Sequence, residues 1–468
     1  MPASCPSQPQ SAGTPPTLKS RPAAFRPSPL VPPKETHPLN FSLFIVLNGV
    51  LFIRPGEIVP GLIGLPIYEW TILACLAVSL PSMLQQLRST SLASQPIAVC
   101  VLGLLPVTIL SFLSHFSIWG IRNEGWDFFK VILYFLLFIS NVTSTRQLRH
   151  FLGWVLCFIL VLCALALLHF YEVMEIPSLV RMRERQFYDS VGRAVELDRL
   201  CSTGIYDNPN SLSRILVVGM GISLYWLFDW RTVLPRLLGL VSAGIFGFAI
   251  MLTHSRGGFI ALLVGTLVFF LTRFGWRKSL PLALLAFPLL FLLFAGRQTD
   301  IDPSEGTGQE RIQLWNKGFS LFQGAPLLGI GMGKYEEEAN LVAHNSFIHC
   351  YTELGFLGGT LFTGAIYLSL WSMYRLGLPK ARIPDRELQR MRPYLMAIMA
   401  AYAAGMCTIS ISYHVPTYML FGLSTVYLRL AGANLRLMPR LNGKLVFRLG
   451  TISAAVLVGF YVYVRLYI

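Results

Sequence analysis

Three short stretches of this 468-residue chain set chemically capable side chains at the edges of apolar runs. In THSRGGF (253–259), Arg256 lies between two uncharged segments, at the outer mouth of two helices. A charge at membrane depth is costly unless paired or hydrated, so a functional role is the default reading. The alternative is a side chain that snorkels to headgroups. Gly257 and Gly258 allow close approach of backbone or ligand. In ERIQLW (310–315), Arg311 and Trp315 share one face of a short amphipathic outer helix, and GAPLLGIGMG (324–333) then suits a tight loop folding back on the membrane. Arg311 either pairs with Glu310 and loop acids or, brought beside Arg256, makes a forked clamp for phosphate oxygens.

The third stretch is HNSFIHCYTELGFLG (344–358). Asn345 and Ser346 are N-cap types, which puts His344 at the start of a helix. That end is electropositive, favours anions and disfavours imidazolium, leaving a neutral imidazole able to take a proton. A lone histidine is more often structural; this one stands with Asn345 at a membrane mouth, behind two arginine-bearing loops. His349, five residues on and about 140° round a helix, is the spare candidate base, with Glu353 next. Gly355 and Gly358 read as sites of close helix packing. Upstream, YDNPNSLSR (206–214) opens another helix that Asn210 or Ser211 can cap, with Arg214 one turn in and able to face the same cavity. Arg181, Arg183, Arg185, Arg193 and Arg199 are mixed with acids and read mostly as solvated surface.

The elements that must hold these residues are membrane helices. Hydrophobic residues make up 54 % of the chain and charged residues 13 %, about half the usual share of a soluble domain. A soluble enzyme, a disordered chain and a disulfide-rich secreted chain are excluded. Continuous apolar runs place crossings at 39–53, 60–80, 96–114, 126–142, 151–171, 209–228, 236–253, 257–272, 279–296, 346–374, 393–412 and 416–430, with a further candidate at 447–466. The runs do not alternate, which excludes a barrel. The expectation is an all-α integral membrane protein of about twelve transmembrane helices, thirteen if the last run spans, with two long outer loops at 172–208 and 297–345, the second partly helical.

Residues 1–38 are rich in Pro and Ser and read as a disordered cytoplasmic tail, without the apolar stretch of a cleaved signal peptide. Residues 39–430 form the polytopic core, and 431–468 a basic cytoplasmic segment with the extra helix. Alternating from an inside tail collects 23 Lys/Arg and 4 Asp/Glu inside, against 15 and 19 outside. That bias sets the orientation and accounts for the net charge of +15 without nucleic acid. The eight cysteines show no CxxC pairing and read as small core residues. No internal repeat, GxxxxGK loop or HExxH pair occurs, so nucleotide hydrolysis is not expected.

Together, the H-N-x9-G-x2-G of 344–358, the SRG of 255–257, the R-x3-W of 311–315 followed by PLLGIGMG (326–333), and the N-P-N of 208–210 resemble the O-antigen ligase and polymerase superfamily of bacterial membrane glycosyltransferases. The order of elements and the topology match over about 200–430. The resemblance implies a metal-independent, inverting glycosyl transfer with no cofactor. The donor would be a glycan on undecaprenyl pyrophosphate, held by Arg256 and Arg311, and His344 would act on the acceptor hydroxyl. Implied partners are that donor, an acceptor (a glycan, lipid A core or a protein hydroxyl), membrane lipids and a chain-length regulator. The implied location is the bacterial inner membrane, with the N-terminus cytoplasmic and the site facing the periplasm. No soluble repeat domain of the kind some members carry is expected after the last apolar run, and the acceptor stays open. The rival class is a transporter or flippase of lipid-linked glycan or a small anion. It predicts inverted repeats and midplane charges, neither of which is seen. A non-catalytic envelope scaffold is the third class.

Overall fold

The computed structural model describes residues 37–89, 92–179, 181–188, 194–229, 232–294, 307–379, 381, 383–432 and 438–468. All but the last two residues of the expected tail lie outside the described residues. The chain starts with α1 (Pro38–Ile53), the one-turn α2 (Pro55–Ile58), α3 (Ile67–Ser89), α4 (Pro96–Ser114), the short α5 (Ile118–Gly120), α6 (Trp126–Asn141) and α7 (Thr145–Phe170). A hairpin of β1 (Met182–Tyr188) and β2 (Ala194–Arg199) follows, then α8 (Pro209–Asp229), α9 (Val233–Thr253), α10 (Arg256–Phe274) and α11 (Trp276–Leu293). The last part comprises α12 (Thr307–Gly324), α13 (Lys334–Ala339), α14 (Ser346–Arg375), α15 (Arg386–Met406), α16 (Val415–Ala431) and α17 (Gly443–Tyr467).

This is an all-α polytopic membrane protein: among the described residues, ten helices are long and apolar enough to cross a membrane. Two more expected crossings, α6 and α16, have 16 and 17 residues, and α15 carries Arg386, Glu387, Arg390 and Arg392 in its first turns. Leu284, Leu285 and Leu292 of α11 are exposed, as a lipid-facing helix requires. The core lies where α8 meets α9 and α15, α10 meets α15, and α14 meets α4. Of the cysteines, Cys75, Cys100, Cys163, Cys201 and Cys350 are buried free thiols and Cys157 is exposed.

Four expectations are corrected. The second helix begins at Ile67 rather than 60, because Pro55, Pro60 and Pro66 break the preceding segment into short turns. The eleventh ends at Met406, so 407–414 is a loop and not membrane helix. The first outer loop contains strands: β1 and β2 pair antiparallel, Met182 opposite Arg199, with an irregularity between Arg185 and Phe187. Finally, Gly355 is not a helix-packing contact. Its φ of 63° and ψ of −166° interrupt α14.

The break in α14 is filled by the 326–331 loop. Phe356 N donates to Pro326 O (2.8 Å) and Leu357 N to Leu327 O (3.3 Å), while Ile330 N and Gly331 N donate to Thr352 O (3.1 Å) and Glu353 O (3.0 Å). Backbone groups freed by the break thus find partners away from water, as burial demands. A Cβ on Gly329 would overlap the Glu353 carbonyl, and one on Gly355 the Leu327 backbone. The glycine-rich run exists because two backbones meet there. α17 runs antiparallel to α14. Arg448 stacks on Trp371, Ser453 Oγ meets the Tyr351 hydroxyl at 2.7 Å, and Phe460 packs on Phe347.

Candidate active site

Asn208 starts the site by accepting from Asn210 N (2.8 Å) ahead of Pro209 at the first turn of α8. Asn210 ties two distant motifs together: Ser255 Oγ donates to its Oδ1 (2.7 Å), and Arg199 Nη2 reaches the same oxygen (3.3 Å). Ser255 also caps α10, accepting from Gly258 N at 3.1 Å. Arg199 is buried and donates from Nε to Thr253 O (2.9 Å). It pins the end of α9 and is not solvated surface. Arg181 and Arg183 do lie toward solvent, paired with Glu172 and Asp198.

Arg214 is 2 % exposed. Its Nε donates to Gly405 O (3.0 Å), Nη1 to Asn210 O and Nη2 to Thr408 Oγ1. A buried guanidinium needs such partners; three of its five N–H groups are accounted for by these bonds. The paired glycines beside Arg256 are explained by packing. A Cβ on Gly257 would run into Thr408 and Arg214, and one on Gly258 into Ser213. Arg256 begins α10 directly after the Ser255 cap and is half-buried.

Arg311 and Trp315 lie on α12. Trp315 Nε1 donates to Ala343 O (2.7 Å), and its ring packs on Phe460 and Tyr463 of α17. The tryptophan therefore holds the residue next to His344. His344 itself has φ 49° and precedes the helix. Asn345 is the cap, accepting from Phe347 N (3.0 Å) and Ile348 N (3.2 Å), and its Nδ2 is buried without a partner among the described residues. Ser346 is laced to the 407–414 loop. Its Oγ donates to Ile409 O (2.6 Å) and accepts from Ile411 N (3.0 Å), while Ser412 Oγ donates to Ser346 O (2.7 Å). Because Thr408 of that loop also binds Arg214, the loop brings α8 and His344 together.

The consequence is electrostatic. Burial, then the charges of Arg311 and Arg214, then His349, push the His344 imidazole down to about 4. It is neutral at neutral pH. The two guanidinium groups acting on His344 are thus Arg311 and Arg214, while Arg256 is one residue from Gly257, on which Arg214 packs. Arg214 is the expected lesser candidate that the fold puts at the centre.

His349 and Glu353 form a second group on α14. His349 Nε2 is 3.1 Å from Glu353 Oε2, the ring stacks on Tyr335, and Tyr335 N donates to Glu353 Oε1 (3.2 Å). Both residues line a cavity of about 850 Å³ together with Tyr413 and His414. Arg256, Arg311 and His344 are not in its lining, but Val342 and His349, on either side of His344, are. His414 lines both this cavity and a small void beside Arg214.

Residues 238–363 match the family model described as O-antigen ligase. Over this stretch the chain is similar to the O-antigen ligase family. The match supports the O-antigen ligase and polymerase superfamily that the motifs resemble, and an activity of the ligase or polymerase type in a multi-pass membrane protein. The matched stretch contains Arg256, Arg311, His344, His349 and Glu353 and ends within α14; Arg214 and the 407–414 loop lie outside it. No curated protein matches the chain.

Sequence reasoning misses Thr408, Ser412 and His414, because SISYH (410–414) falls between two apolar runs and reads as the end of one helix and the start of the next. Its local signal is the His-Val-Pro at the start of α16, with His414 at the cap and Pro416 in the first turn, a helix-start pattern that fixes a loop before it.

Proposed function

We propose that the protein transfers a glycan from an undecaprenyl-pyrophosphate donor to an acceptor hydroxyl at the periplasmic face of the bacterial inner membrane, with inversion and without a metal ion. The observation that carries this reading is the neutral imidazole of His344 under the charges of Arg311 and Arg214, next to a large cavity. A lipid pyrophosphate is already a good leaving group. It needs charge neutralisation more than protonation, which the arginines supply. The electropositive start of α10, where Arg256 lies, favours the same anion.

In the reaction, the acceptor oxygen attacks the anomeric carbon as the bond to the pyrophosphate oxygen breaks. The electron pair leaves with the lipid pyrophosphate. The hydroxyl proton passes to His344, which later returns it to solvent. Binding of the anionic donor offsets the arginine charges and raises the basicity of the imidazole when it is needed. Ser255, Asn210 and Trp315 hold the arginine- and histidine-bearing segments in register.

The test is reconstitution. Purified protein in lipid, with a lipid-linked glycan and a panel of acceptors, is incubated without nucleotide or ion gradient, with and without chelator. Product and free lipid pyrophosphate are expected in both arms. Movement of the intact lipid-linked glycan across the bilayer with no product would favour the transporter class instead.

A further inference from the structure

The 850 Å³ cavity is acidic. Six carboxylates line it against two bases, Arg54 and Lys130. Both bases are already paired: Lys130 Nζ is 2.7 Å from Asp127 and 3.7 Å from Glu69, and Arg54 binds Glu57. Glu124 has its carboxyl pushed above the usual range by burial and by Asp127, Glu353 and Glu337, so the acids crowd one another. An acidic cluster alone would mean little. Here a second observation stands beside it: the imidazole of His349, a residue of the cavity wall with a side chain only 10 % exposed, has its Nδ1 buried without a partner among the described residues. A buried polar atom ordinarily has a hydrogen-bond complement, and a hydroxyl of a bound molecule would supply one here.

The pyrophosphate does not suit it, since the carboxylates repel that anion and none of Arg214, Arg256 and Arg311 lines the cavity. A sugar does. Its hydroxyls donate well to carboxylates, and tyrosine faces such as Tyr413 suit its apolar surface. We propose that this cavity is the acceptor subsite and that it takes the reacting end of a glycan free of phosphate and carboxylate, either neutral or amino-substituted, with His349 binding one of its hydroxyls. This rests on the glycosyl-transfer reading and narrows its acceptor class. Val342 and His349, which flank His344 in the sequence, line the cavity, so an acceptor seated there lies against the segment that carries the base. The same geometry disfavours a heavily phosphorylated lipid core.

The experiment compares three acceptors on one oligosaccharide scaffold: unmodified, carrying a free amine on the terminal sugar, and carrying a phosphate there. Each is assayed with the purified full-length protein at fixed lipid-linked donor. The expected result is kcat/KM for the phosphorylated acceptor about tenfold or more below the other two. In Glu69→Gln and Glu124→Gln the gap should narrow. His349→Gln should raise KM for the acceptor while leaving KM for the donor unchanged. Equal or preferred use of the phosphorylated acceptor overturns the subsite while glycosyl transfer stands. A gap unaltered in both glutamate variants also overturns it. Absence of transfer to all three overturns the glycosyl-transfer reading, and this proposal with it.

Discussion

His344 is held by its neighbours rather than by its own bonds: Trp315 fixes the preceding carbonyl, and Asn345 and Ser346 fix the following turn. His344→Ala should therefore remove the base without unmaking the turn, lowering turnover by about 10²–10⁴-fold with donor binding retained. His349→Ala should be milder and act on the acceptor. If His344→Ala turned over like the wild type and His349→Ala did not, the roles would be reversed. At Arg311, Lys keeps the charge but loses the planar fork, so Arg311→Lys should rescue little of what Arg311→Ala loses; near-full activity of the lysine variant would sink the bidentate clamp. The pH profile is a separate check. A base acts once deprotonated, and the free-enzyme imidazole titrates near 4. Thus kcat/KM, which reports the free enzyme, should be flat above about pH 5 and fall only below it. The acid limb of kcat should lie at higher pH, because bound donor offsets the arginine charges. A kcat/KM limb near the ordinary histidine value would mean that the base is elsewhere. Arg256 and His344 are legible in the sequence because they stand at the edges of apolar runs, and Arg311 because it shares a helix face with Trp315. The central place of Arg214 is not, since its partners Gly405 and Thr408 are nearly two hundred residues away.

At the scale of elements, the helices are legible from apolar runs and the contacts between them are not. Nothing in TELGFLGG (352–359) distinguishes a continuous helix from one broken at Gly355. The break follows from docking of the 326–331 loop, a tertiary event that supplies hydrogen bonds the helix gives up. The β-hairpin is masked in the same way by its charged residues, although the period-two pattern of RMRERQF (181–187) carries a strand signal. The docked loop yields a paired prediction. Gly329 has φ 74° and abuts the Glu353 carbonyl, whereas Gly324, at the end of α12, has open space where a side-chain carbon would sit. Gly329→Ala should cost about 1–3 kcal/mol, visible as a lower melting temperature, and should shift Glu353 enough to lower activity. Gly324→Ala should do neither. Equal melting temperatures for the two variants would show that the loop is not clamped on the helix break.

For the whole molecule, the question is which end of the bundle faces which compartment. The cavity lining gathers the turns after α1, before α6, around α13 and before α16 at one end, together with the start of α14. Arg375 and the α15 arginines Arg386, Arg390 and Arg392 are at the opposite ends of their helices. From the Lys/Arg excess we propose that this second end faces the cytoplasm. A cysteine placed at Glu338, which is exposed, should react with an impermeant maleimide on intact cells, in a background lacking Cys157; one placed at Arg386 should react only after permeabilisation. The C-terminus follows from packing. α17 begins with Lys444 and Arg448, the latter against Trp371 near the basic end of α14, and finishes with Tyr463 against Trp315 of α12. Its 25 residues reach about 37 Å at 1.5 Å each, more than the roughly 30 Å of hydrocarbon. The helix therefore has both the length and the neighbours to cross, and in the proposed orientation it would carry the chain end outward with the N-terminus inside. An alkaline phosphatase fused after Ile468 should be active and a green fluorescent protein there dark, with the converse for fusions before α1. A fluorescent C-terminal fusion would place both ends in the cytoplasm. It would detach α17 from its partners on α12 and α14, and with them from the residues that hold the His344 turn.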